Sequence, residues 1–225
     1  MEKNRVFTKE ELEEMGGRTV DAAIKALEAG HYEKAKKLIK RMHREFQSLH
    51  DIYLNWAADL MDFIYKRDGE EALYEATRKS TETSIDAMID LYTKADFRRQ
   101  VEMMAAGLRA HLQKIHIEED DEKVSIEMDP CGSGQRLLES GAYGPPRNLS
   151  RLKPHRLTWG LPNFPVYCAH GPVQEIMCIE RIGYPVYVVF PAEEMAKKSC
   201  RYCIFKDPKF IPEEVYKRVG MEKPK

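Results

Sequence analysis

Three features of the 225-residue sequence predict an α+β fold, with an N-terminal helical layer packed on a C-terminal antiparallel sheet with helices. Apolar residues recur at helical spacing from Thr8 to Leu112. They then alternate in steps of two between Ile115 and Met128, and all five cysteines lie after that change of period. The chain therefore divides into a helical region, 1–112, and a cysteine-bearing α+β region, 113–225.

Thr8 followed by Glu11 is a capping-box start, and Leu12, Met15, Val20, Ile24 and Leu27 carry a helical stripe as far as Gly30. A second stripe runs through Tyr32, Ala35, Leu38, Ile39, Met42 and Phe46, then on through Ile52, Trp56, Leu60 and Ile64 to Asp68-Gly69. One helix of that length is unusual, which points to a break near Ser48–Asp51. Two further helices pass through Leu73, Ala76, Ile85, Met88 and Tyr92, and from Asp96 through Val101, Met104, Leu108 and Leu112. Such Met and aromatic stripes serve as plain core or dimer interface more often than as the wall of a ligand cavity. The basic run Lys34–Arg44 reads as a solvated face.

After Leu112, Ile115 and Ile117 alternate with polar residues, Asp120-Asp121-Glu122 forms a turn, and Val124, Ile126 and Met128 alternate again. This is a β-hairpin. Cys131 stands at its exit, before the turn Gly132-Ser133-Gly134 and a short helix over Gln135–Ser140. The long stretch Gly141–Pro165 is rich in Pro, Gly and basic residues, and a loop of that length in a compact domain is functional or disordered. Pro172 opens a helix carrying Glu175, Ile176, Cys178, Ile179 and Ile182, and Gly183 closes it. Tyr184–Phe190 and Cys200–Phe205 are β-prone runs.

Lys plus Arg number 36 against 37 Asp plus Glu, so the molecule as a whole offers no field for nucleic acid or an anionic membrane. A single Cys-x-x-Cys without a second pair also argues against a nucleic-acid role. No unbroken apolar stretch is long enough to span a bilayer, and the charged start MEKNRVFTKEELEEM is unlike a signal peptide, which indicates a cytoplasmic protein. An odd number of cysteines in such a chain argues against a disulfide framework and leaves metal binding, redox chemistry and catalysis open.

The helix bearing Cys178, the run Gly183-Tyr184-Pro185-Val186-Tyr187-Val188-Val189-Phe190, a connector, and Cys200-Arg201-Tyr202-Cys203-Ile204-Phe205 resemble the 4-vinyl-reductase-like small-molecule-binding domain. The layout is also similar to that of the related L-2-amino-thiazoline-4-carboxylic acid hydrolases. The resemblance covers roughly Gln113–Lys206. It implies an antiparallel sheet backed by helices, a homodimer, and a pocket for a small organic molecule. The Cys131 turn and the Cys168-Ala169-His170 element lie outside that pattern.

Cys200 and Cys203 are spaced to reach one tetrahedral ion, Cys168 and His170 supply two more ligands, and Cys131 is a fifth. Thiolates with one imidazole favour zinc, and four thiolates favour an iron-sulfur cluster. Cys178, inside an apolar run, reads as a packing residue. Beside a helix start, Cys131 is equally suited to be a nucleophile, with Ser133 and Arg136 near an anion. His170 and Glu175 flank one helix start as candidate general acid-base groups, although His170 cannot act as a base while it binds metal. Arg147, Arg151, His155, Arg156 and Trp159 of the long loop would hold the carboxylate of a small anionic organic substrate. The expected activity is metal-dependent hydrolysis or bond cleavage. A ligand-binding or sensory module with a structural metal and a redox or iron-sulfur protein are the alternatives.

Overall fold

The computed structural model describes residues 6–224. The chain forms two compact units, Met1–Tyr53 and Leu54–Lys225.

In the first unit the capping box forms as the sequence indicates. Thr8 Oγ1 accepts from the Glu11 amide at 3.1 Å and Glu11 Oε2 accepts from the Thr8 amide at 2.8 Å. The stripe to Gly30 is nevertheless two helices, α1 (Lys9–Gly16) and α2 (Thr19–Glu28). Gly17 and Arg18 between them are extended, as the low helix propensity of Gly16-Gly17 permits. Helix α3 (Tyr32–Lys94) begins in this unit and carries the chain into the next.

The break expected near Ser48–Asp51 does not exist. That segment holds no Gly or Pro, and the helix runs through it to Gly69, whose φ of 84° and ψ of −166° interrupt α3. Such a pair is open essentially to glycine alone.

The second unit contains the rest of α3, α4 (Phe97–Arg109), α5 (Gly134–Glu139), α6 (His170–Ile182) and α7 (Glu213–Lys217). Its main sheet has four antiparallel strands in the order β1 (Lys114–Glu119), β2 (Lys123–Asp129), β6 (Arg201–Phe205), β5 (Val188–Phe190). β3 (Arg151–Leu152) and β4 (Phe164–Pro165) form a second, two-stranded sheet within the long loop. The run from Tyr184 yields a strand only from Val188 onward, because Pro185 has no amide to donate to a ladder.

The class is thus mixed helix and antiparallel sheet, and the helices after Tyr53 and the sheet lie in one compact unit. Leu73 and Ile85 of α3 and Met104 and Leu108 of α4 share one apolar core with Val124, Ile126 and Met128 of β2 and with Val173 and Ile176 of α6. In register, Ile126 lies opposite Tyr202, and Tyr202 opposite Val189. This row faces the helices. Helix α6 closes at Gly183, which adopts φ 84° and donates its amide to Ile179 O. Among the described residues no helix is long and apolar enough to cross a membrane.

Candidate functional site

Three separate segments bring Cys131, Cys168 with His170, and Cys200 to one cavity of about 60 Å³. The turn after β2 supplies Cys131, the turn before α6 supplies Cys168, the first residue of α6 is His170, and the connector before β6 supplies Cys200. Tyr187, Val189 and Tyr202 form the sheet side, Trp159 and Gln174 a second wall, and Met195 and Lys198 belong to the connector. A single water needs about 10–15 Å³ by the same measure, so the space suits a few waters or a ligand of a few heavy atoms.

The glycines of the 132–134 turn are there for space. A Cβ on Gly134 would stand 2.6 Å from Cys168 Sγ, and one on Gly132 would stand 2.4 Å from the His111 carbonyl oxygen. Gly171 plays the same part for Trp159, since a Cβ there would lie 2.9 Å from the indole edge. Close backbone approach therefore brings Cys131, Cys168 and Trp159 to one place.

The Cys131 amide donates to Gln135 Oε1 at 3.1 Å, and Ser199 Oγ donates to the same oxygen at 3.1 Å. Gln135 thus ties the Cys131 turn to the connector carrying Cys200. Ser133 Oγ stands 3.7 Å from Cys131 Sγ. Burial, with Cys200 and Cys131 nearby, pushes the Cys168 thiol well up, and burial pushes Cys200 up to about 11. Both are neutral thiols at ordinary pH.

His170 Nδ1 lies 2.6 Å from the Tyr167 carbonyl oxygen. A carbonyl only accepts, so Nδ1 carries the proton and Nε2 keeps its lone pair. Burial lowers the imidazole's pKa, which keeps the ring neutral. Its ring also meets the Tyr167 ring edge to face, with centroids 4.9 Å apart.

Several expected site residues lie elsewhere. Cys203 does not join Cys200: alternate residues of a strand point to opposite faces, and with Tyr202 on the cavity side Cys203 faces away, 3.4 Å from Ser125 Oγ. Among the described residues no group of three or more His, Cys, Asp or Glu side chains is arranged to hold a metal ion. Cys131, Cys168, Cys200 and His170 share the cavity, and Cys203 lies apart from it.

Glu175 is not a free acid or base and does not line the cavity. Arg218 donates to its Oε1 at 2.5 Å and Trp159 Nε1 to its Oε2 at 2.6 Å, within a buried pair whose guanidinium also lies over the Trp159 ring. Burial raises the carboxyl pKa, and Arg218 opposes the rise. Trp159, expected to contact substrate, reaches the cavity with its ring while its N–H is taken by Glu175.

The basic loop is fastened to α3 instead of facing the cavity. Arg147 binds Asn55 and Asp59, Arg156 lies 3.2 Å from Glu71 and over the Tyr74 ring, and His155 lies 3.6 Å from Glu70. Arg151 covers the Tyr143 ring, and the Ser150 amide donates to Asp62 at 2.7 Å. Charge complementarity with Asp59, Asp62, Glu70 and Glu71 accounts for this placement. Arg136 sits in α5 and is not among the cavity-lining residues. The cation at the rim is Lys198, which sequence reasoning missed, as it missed Gln135, Gln174, Tyr187 and Tyr202. Tyr202 alone carried a signal, being two residues from the apolar Ile204 on the same strand face.

Comparison with protein-family models, with curated protein sequences and with solved structures finds no match to this chain.

Proposed function

We propose that the protein is a thiol-dependent enzyme that cleaves a bond in a small organic anion by hydrolysis. The observation that carries this reading is the meeting of Cys131, Cys168, Cys200 and the His170 imidazole on one small cavity. Cys131 is the nucleophile: it stands on the Gly132-Ser133-Gly134 turn at the cavity, while burial raises the thiols of Cys168 and Cys200. Its proton passes to His170 Nε2, the sulfur bonds to the electrophilic carbon of the substrate, and the leaving group departs with that proton. Water then gives a proton to Nε2 and its hydroxyl to the carbon, the carbon–sulfur bond breaks, and the proton returns to sulfur. Lys198 at the rim pairs with the carboxylate of the substrate. The resemblance of the sequence to 4-vinyl-reductase-like domains supports a small organic ligand, and five free cysteines suit a reducing compartment such as the cytoplasm.

The test combines iodoacetamide labelling with a turnover screen over small carboxylates bearing amide, ester, thioester or thiazoline bonds. Cys131 should be alkylated before Cys168 and Cys200, and Cys131→Ser and His170→Ala should each lose about 100-fold or more of the turnover. Turnover that survives in Cys131→Ser would eliminate the nucleophile. Metal analysis of protein purified without added metal completes the test: one zinc, or iron with sulfide, per chain would make these thiols ligands.

A further inference from the structure

The first unit has an unusually small interior. Among the described residues its buried apolar cluster consists of Ala23 and Ala26 of α2 with Ala35 and Leu38 of α3. These residues join the two helices into a hairpin that turns at Gly30-His31, with Thr19 Oγ1 bonded to Glu45 Oε2 at the far end. The larger apolar residues are outside. On α2, Val20, Ile24 and Leu27 are spaced by four and three; on α3, Ile39, Met42, Phe46 and Leu49 are spaced by three, four and three, and all seven are 38–50% exposed.

Spacing of that kind defines a continuous seam along one face of a helix. On α2 the seam lies beside the line of Ala23 and Ala26, and on α3 Met42, Phe46 and Leu49 follow Ala35 and Leu38 at steps of four, four and three, continuing the line that meets α2. The intervening positions of α3, including Lys40, Arg41, Arg44, Gln47 and Asp51, are polar.

We infer that two copies of this chain dock face to face through their α2–α3 hairpins, forming a four-helix bundle. The exposed area supports a second copy as the occupant. Seven large side chains of ~200 Å² each, about half exposed, present on the order of 600 Å² of apolar surface per chain. A standard interface takes about 800 Å² from each partner, of which roughly 60% is apolar. The seam thus has the size that a stable dimer uses, at the upper limit of what a monomer leaves in water. A two-fold axis also brings each hairpin the partner its shape lacks, since two helices joined by alanines cannot enclose the larger side chains and four can.

Sedimentation equilibrium of the full chain over a wide concentration range tests the inference. The wild-type protein should be a dimer, Phe46→Glu should weaken dimerisation by about thirty-fold or more, and Met42→Ala should weaken it by about ten-fold. Lys40→Glu, on the polar side of the helix, should leave the dimer intact. Circular dichroism identifies a variant that fails to fold, and if Phe46→Glu does so, Met42→Ala decides. A wild-type protein that stays monomeric at every concentration overturns the inference, as does a folded seam variant that dimerises like wild type. Recovery of the chain bound to a different protein in place of a second copy overturns it as well.

Discussion

At the scale of single residues the site is governed by burial. His170 is held neutral in the folded protein, with a pKa below its ordinary value near 6.5. Below that pH the unfolded chain takes up a proton that the folded chain refuses, so stability should be level above about pH 6.5 and fall as the pH drops beneath it. Cys200 and Cys178 give the opposite limb. Both are raised to about 11, so their contribution is whole below their ordinary value near 9.0 and is lost as the pH rises from there towards 11. Melting temperatures measured across pH should show both slopes, His170→Gln should flatten the acid one, and Cys200→Ala should flatten part of the alkaline one. An acid slope unchanged in His170→Gln would contradict a buried neutral imidazole. Four of the residues that the sequence singles out, Cys131, Cys168, His170 and Cys200, line one cavity, and all four stand at or beside the ends of regular elements. Sequence reasoning misplaced Cys203 because Cys-x-x-Cys spacing takes no account of strand alternation, which begins at Arg201 and turns Cys203 to the other face.

Among elements, α3 shows how little a long apolar stripe says about where a helix ends. The stripe passed Ser48–Asp51 and so did the helix, whereas Gly69 interrupts it in a conformation closed to other residues. Nothing stands within 4 Å of a Cβ built at that position, so replacement meets backbone strain without a clash. Gly69→Ala should therefore cost about 1–3 kcal/mol of unfolding free energy in urea. A neutral result would mean that the helix runs through without its kink. The hairpin of β1 and β2 was legible because apolar and polar residues alternate on both sides of an acidic turn. The anchoring of the basic loop was not, for a reason of distance. Arg147 and Asp59 stand 88 positions apart, and a sequence read along its length does not say which of its 37 carboxylates meets which arginine.

For the whole molecule, the two units differ sharply in the apolar matter they bury. The second shares one large core among helices and sheet, while the first, among the described residues, buries three alanines and one leucine. In dilute protein, hydrogen exchange should open the amides of α2 at a lower free energy than those of β2 or α6, and protection in α2 as high as in β2 would refute that difference. The bond between Glu175 and Arg218 acts at this scale too, because the two residues are 43 positions apart. A ribosome adds about 5–20 residues per second, so the carboxylate of α6 waits on the order of 2–9 s for its cation to be made. Until then, docking α6 beside Trp159 would bury a carboxyl group that has no cation opposite it. The second unit therefore completes its fold late in the birth of the polypeptide, and an arrested nascent chain ending before Arg218 would carry α6 without a settled place.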